Sequence, residues 1–217
     1  MTRARLVLAD EQALFREGVA ALLASDPGWE VVGSVGDGRE CVRLALRRQP
    51  DLLIFDCAMH GLSGLEAARR IAPRCPETRM LCLTAYEDSR WVRAAFEAGA
   101  HGYVLKRSGF EVLREAIDTV LRYRYFVSPD IAHLLVDRGR GRGSPAVGES
   151  ALLSAREREI TQLFAEGYST REIAERLHVS IKTVGTHREH IMDKLGIHGI
   201  AQLTRYAIRE GLTTLDP

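Results

Sequence analysis

Five times in the first 125 residues a short apolar run is followed by a stretch of helical spacing. That alternation restricts the fold more than any other property of the chain. The runs fall at 5–9 (RLVLA), 30–35 (EVVGSV), 52–55 (LLIF), 80–83 (MLCL) and 102–105 (GYVL). Helical spacing follows each, over 14–23, 40–48, 65–71, 89–98 and 110–123. Strands that alternate with helices call for an α/β fold, here a five-stranded, doubly wound parallel sheet. Right-handed crossovers place the carboxyl end of every strand on one edge, where such sheets hold their ligands.

Polar residues stand where the runs stop: Asp10 and Glu11, Asp56, Thr84, and Lys106. Any one of them reads as the solvated start of a loop. All five at one edge read as a site. Three clustered carboxylates repel unless a cation joins them, and all-oxygen ligation with room for water suits Mg²⁺. A lysine and a hydroxyl beside the metal suit the oxygens of a phosphoryl group. Asp56, presented at the end of a strand buried on both faces, can then be the nucleophile of an aspartyl phosphate. Mg²⁺ and Lys106 would neutralise the charge of the transferring group. Gly61 and Gly64 turn the chain from Asp56 toward the next helix.

The formal net charge of +1 excludes a gross acidic or basic bias. No signal peptide and no long apolar run is present, so the chain is expected to be soluble and cytoplasmic, with no membrane partner. Cys41, Cys57, Cys75 and Cys82 lack metal-ligand spacing and read as free core thiols. Cys57 adjoins Asp56, so a redox thiol stands as the alternative.

After Tyr123 the pattern changes. A short helix is expected near 129–136, and then 137–150 (DRGRGRGSPAVGES) reads as a linker. Arg138, Arg140 and Arg142 in it suit a solvated tether better than a phosphate contact. The last stretch carries explicit helix starts. Ser154-Ala-Arg-Glu157 and Ser169-Thr-Arg-Glu172 fit capping boxes, and Ser180 is a third N-cap. Gly167 and Gly196 fit as stops. Helices follow over 155–165, 170–177, 181–195 and 198–209, sharing a core of Ile160, Leu163, Phe164, Ile173, Leu177, Val184, Ile191 and Leu195. Only 178–180 separate the second helix from the third, which is helix-turn-helix spacing.

On the acidic pair Asp10–Glu11, with Asp56, Thr84, Tyr103 and Lys106, residues 1–125 resemble the receiver domain of a two-component response regulator. The words LSAREREI, STREIAERLHVSIKTVGTHREHIMDKLGI and RYAIREGL resemble the LuxR-type helix-turn-helix of NarL/FixJ regulators. The resemblance divides the chain into a receiver (1–125), a linker (126–149) and a DNA-binding domain (150–217). It implies phosphoryl transfer from a sensor histidine kinase to Asp56, with Mg²⁺ held by Asp10, Glu11, Asp56 and the Ala58 carbonyl. It implies a switch in which Thr84 turns toward the phosphoryl group and Tyr103 rotates inward. It also implies transcription control by a homodimer on promoter half-sites, paired through a last helix whose Ile200, Leu203, Ala207 and Ile208 form an apolar stripe. Packing of that stripe on its own domain is the alternative.

Three departures touch the site. Glu11 stands where the family usually has Asp, His60 where proline is common, and Ala58 brings no polar side chain. In the reading helix, Lys182, Thr183, Thr186, His187 and Arg188 are candidates for phosphate and groove contact. The usual base-facing positions fall on Gly185, Thr186 and Glu189. Gly185 replaces a common lysine, and Glu189 could accept from cytosine N4. From 150 onward nine Lys/Arg meet nine Asp/Glu, where a basic patch is expected. The chain therefore reads as a DNA-binding response regulator and not an enzyme. An atypical regulator that binds DNA without phosphorylation is the alternative within that class. An aspartyl phosphatase would need an acid two residues after its nucleophile, where Ala58 stands.

Overall fold

The computed structural model describes residues 3–59, 61–136 and 153–213. The chain divides into two compact units, Met1–Arg142 and Gly143–Pro217.

In the first unit the strands are β1 (Ala4–Ala9), β2 (Trp29–Val35), β3 (Leu52–Phe55), β4 (Arg79–Thr84), β5 (Gly102–Leu105) and β6 (Phe126–Val127). They form one sheet in the order β2-β1-β3-β4-β5-β6, and every neighbouring pair is parallel. The helices are α1 (Ala13–Ala24), α2 (Gly38–Arg48), α3 (Gly64–Ile71), α4 (Ser89–Glu97), α5 (Gly109–Leu121) and α6 (Pro129–Val136). Five strands were expected and six are present. β6 opens the segment read as linker, where only two residues pair with Gly102 and Tyr103. Two residues are too few to show a period of two.

Each strand divides its side chains between two cores, as the alternation of a pleated strand requires. Val7, Ala9, Leu53, Phe55, Met80, Cys82, Tyr103 and Leu105 face one core together with residues of α2, α3 and α4. Leu6, Leu8, Leu52, Ile54, Leu81, Leu83 and Val104 face the other, with residues of α1 and α5. β3 and β5 are buried at every position, which is why they read as unbroken apolar runs. Local side chains start the helices on the first core: Asp37 caps α2, Ser63 caps α3 and Asp88 caps α4, each accepting from backbone N–H groups of the first turn. Among the described residues no helix is long and apolar enough to cross a membrane.

The second unit holds α7 (Ala155–Ala165), α8 (Thr170–Leu177), α9 (Ile181–Leu195) and α10 (Ile200–Arg209). Both capping boxes form, Ser154 with Glu157 and Ser169 with Glu172. Ser180 caps α9 by accepting from the Thr183 N–H. Gly167 and Gly196 take positive φ after α7 and α9. The core joins Ile160, Leu163, Phe164, Ile173, Leu177, Val184 and Ile191 to Leu203, Tyr206 and Ala207 of α10, with Leu195 packed against its edge.

Candidate functional site: a carboxylate–lysine pocket and an exposed helix

The strand order reverses between β1 and β3, and the crevice of such a sheet opens there. Asp10 leaves β1 and Asp56 leaves β3, the two acids side by side and both buried. Lys106 follows β5 and bridges them, its Nζ 2.7 Å from Asp10 Oδ2 and 2.7 Å from Asp56 Oδ2. Thr84, the last residue of β4, is fully buried, accepts from the Cys57 thiol at 3.2 Å and stands beside the Asp56 carboxyl. The Ala58 N–H points to Asp56 Oδ1 at 3.4 Å, so residue 58 serves the pocket through its main chain.

Burial pushes the Asp56 carboxyl above the ordinary carboxylate range, and the Lys106 charge with hydrogen bonds from Lys106 and Thr84 pulls against that. Burial disfavours the Lys106 ammonium, but Asp56 and Asp10 together hold its pKa above the usual lysine value. The pocket is therefore a desolvated acid kept ionisable by one fixed cation.

The loop after Asp56 closes tightly. Gly61 takes φ +78°, and the Gly64 N–H donates to the Cys57 carbonyl at 3.0 Å. A Cβ on Gly64 would lie 1.7 Å from the Asp56 carbonyl oxygen, so only glycine lets α3 start this close to the acid. His60 lies outside the described residues, as do Arg138, Arg140 and Arg142.

Asp10 and Asp56 are the two acids that Lys106 joins at the edge. Among the described residues no group of three His, Cys, Asp or Glu side chains is placed to hold a metal ion. Asp10 and Asp56 hold the Lys106 ammonium between them. Glu11 is half-buried next in the chain. Sequence reasoning missed Gln12, whose N–H donates to Asp10 Oδ1 (2.9 Å) and whose Oε1 accepts from Lys106 (3.2 Å). It also missed Arg16, which donates to the Asp10 carbonyl, and Phe15, whose ring centroid lies 4.6 Å from Lys106 Nζ. Nothing in the residue types marks them, because their part comes from the turn that returns α1 over the strand end. Tyr103 lies wholly inside the fold, its O–H donating to the Tyr86 carbonyl at 2.8 Å.

In the second unit α8 ends at His178, which takes φ +53°, and two more residues reach α9. Val184 and Ile191 anchor α9 in the core. Its outer side presents Lys182, Thr183, Thr186, Arg188 and Glu189 as exposed and Gly185 and His187 as half-buried. Thr183 and Thr186 already have local partners, Ser180 Oγ at 2.8 Å and the Lys182 carbonyl at 3.2 Å. The Arg188 guanidinium lies 5.6 Å from the Phe164 ring centroid.

The apolar stripe of α10 divides. Leu203 and Ala207 are fully buried in their own unit's core and so cannot serve as a dimer surface, while Ile200 is 43% exposed and Ile208 half-buried. A period of 3.6 shows that a helix has an apolar face; it does not show which body covers it.

A parallel sheet with an acid–lysine pocket at its switch point, in one chain with a separate unit that holds a short-turn pair of helices, defines a class: a receiver-like α/β module joined to a helix-turn-helix. Comparison with known families bears this out. Residues 6–118 match the response regulator receiver domain, and residues 151–207 match the luxR family of bacterial regulatory proteins. The chain belongs to the two-component response regulators of the NarL/FixJ type, with a LuxR-type DNA-binding domain that regulates transcription. It is 37% identical to the oxygen regulatory protein NreC of Staphylococcus carnosus over 213 residues, 96% of this chain and 98% of the relative. Among solved structures it resembles a LuxR-family two-component response regulator from Aurantimonas sp. (36% identity, TM-score 0.62), covering 64% of this chain and 100% of that one. It also resembles RcsB from Salmonella enterica serovar Typhimurium, bound to promoter P1flhDC in the presence of phosphomimetic BeF₃⁻. There identity is 25% and the TM-score 0.60, covering 96% of this chain and 99% of the other.

Proposed function

We propose that Asp56 accepts a phosphoryl group from a sensor histidine kinase and that this controls dimeric, sequence-specific DNA binding through α9. The observation that carries the reading is Lys106 Nζ at 2.7 Å from both Asp10 and Asp56, with Thr84 on the same carboxylate. In the transfer the donor's P–N bond breaks as an Asp56 O–P bond forms. Lys106 and the Thr84 hydroxyl are positioned to take the oxygens of the arriving group. The Ala58 N–H and the pinned loop at Gly64 hold Asp56 still for in-line attack.

The donor set fits Mg²⁺, which is held by one or two carboxylates and keeps several waters. Asp10, Asp56 and the Ala58 carbonyl would hold it, with Glu11 the remaining acid. When bound it would neutralise charge on the transferring group.

A phosphoryl dianion gives Thr84 and Lys106 a new partner, and Tyr103 ties that change to the backbone at Tyr86. DNA is read from Lys182, Thr183, Gly185, Thr186, His187, Arg188 and Glu189, and two copies pair through the outer side of α10 at Ile200 and Ile208. The match to a regulator solved on promoter DNA with a phosphomimetic supports this. The receiver is taken as 1–125 with its sheet edge completed by β6, the tether as the segment up to 149, and the cytoplasm as the compartment of a DNA-binding regulator.

The test is DNA affinity of the phosphorylated protein against that of Asp56→Asn. Tighter binding by the phosphorylated form is expected, and equal affinity would remove the switch. Glu11, longer than the aspartate usual at that place, favours a second reading in which DNA is bound without phosphorylation. Exposure to a small phosphodonor with Mg²⁺ separates them by whether Asp56 gains the group.

A further inference from the structure

Cys57 follows Asp56 directly, is fully buried, and is left unused by the phosphoacceptor chemistry. Its sulfur meets three polar side chains on the α2–α4 face of the sheet. The thiol donates to Thr84 Oγ1 at 3.2 Å. Cys82 Sγ stands 3.6 Å from Cys57 Sγ and donates to it. The Tyr103 hydroxyl borders the same sulfur. Strand register brings them together, because Cys82 is the cross-strand partner of both Phe55 and Tyr103. From Tyr103 the contact continues outward: its O–H donates to the Tyr86 carbonyl, and the Tyr86 ring stacks on Trp91 at 4.5 Å and 16°.

A threonine hydroxyl has a single proton to give. Thr84 has no exposed surface, so water does not compete for it. With the thiol filling one acceptor lobe of Oγ1, the Thr84 proton is left for the Asp56 carboxyl beside it. The donors run in one sense, from Cys82 to Cys57 to Thr84, which leaves the Thr84 proton for Asp56. Valine at position 57 would fill the same space but withdraw the donor, leaving the Thr84 hydroxyl able to rotate its proton away from the acid.

We propose that Cys57 is a positioning residue that aims the Thr84 hydroxyl at the phosphoacceptor and links it to Tyr103 and the Tyr86–Trp91 stack. The proposal rests on the reading of Asp56 as the acceptor.

The test uses the full chain with Trp29→Phe, so that Trp91 is the remaining indole. Cys57→Ser, Cys57→Val and Cys57→Ala are exposed to a small acyl phosphate with Mg²⁺. Uptake is followed by intact mass, and the switch by the change in Trp91 emission per phosphorylated molecule. Serine keeps a donor and is expected to match the parent. Valine and alanine are expected to lose about threefold in uptake rate or emission change, the size of one weak hydrogen bond. Serine no better than valine and alanine overturns the role of Cys57, and where valine fails to pack, alanine alone carries the comparison. A parent that takes up no phosphoryl group overturns the acceptor reading and this inference with it. A phosphorylated parent with indifferent variants overturns this inference alone.

Discussion

At the scale of single residues, two positions show how far local geometry governs the first unit. Gly64 sits where any Cβ would enter the Asp56 carbonyl. Gly64→Ala is expected to cost about 3 kcal/mol, at the upper end of overpacking, and to slow phosphoryl uptake; urea midpoints and intact mass measure both. His101 is the second. Its Nδ1 accepts from the Met80 N–H at 3.1 Å. Burial, with the Arg79 charge second, pushes its pKa down to about 4 from 6.5. The unfolded chain therefore takes up a proton before the folded one does. Stability of the first unit is expected to hold above pH 6.5 and to fall as pH drops from 6.5 toward 4. Urea midpoints for His101→Gln across that range should decline less than those of the parent.

At the scale of elements, α9 carries a glycine with open space where its Cβ would be. Gly185→Ala is expected to stabilise the second unit by about 1 kcal/mol, since glycine costs roughly that in a helix interior; thermal melting reads it. Gly185→Lys should bind DNA more tightly and steepen the salt dependence by about one released counterion, measured as the slope of affinity against salt. Elements were legible where their signals are local. Ser-x-x-Glu places a capping box within four residues and Ser180 supplies a plain N-cap, so α7, α8 and α9 begin where the sequence says. β6 was not legible, because a two-residue strand exists only by pairing with β5. Nor was the fate of Leu203 and Ala207, which depends on α7 lying beneath α10. The pocket acids and Lys106 were legible as strand ends. The link from Cys57 to Thr84 was not, because it needs the register between β3 and β4.

At the scale of the whole molecule, the two units have separate cores among the described residues, so their stabilities should respond separately. In the second unit Lys194 Nζ reaches both oxygens of Glu157 at 2.7 Å, and Glu157 also accepts from the Ser154 N–H. Burial alone would raise the Glu157 pKa, but Lys194 and Ser154 outweigh it and hold the carboxyl below its usual 4.5. That stabilisation is complete above pH 4.5 and is lost as pH falls through the lowered value. Lys194→Met is expected to cost about 2 kcal/mol near neutrality by leaving a buried charge short of a partner. The gap between parent and variant should close in acid, and calorimetry should show it in the second unit's transition and not in the first's. Balanced charge beyond residue 150 makes the same point about function: attraction to DNA must come from where cations sit on α9.

Gln12 and Lys106, 94 positions apart, meet beside Asp10 and Asp56. The pocket is therefore among the last parts of the first unit that synthesis can complete, before the second unit is made. While β5 is still inside the ribosome, Asp10 and Asp56 have no lysine between them, and the two acids stay uncompensated until the sheet has closed.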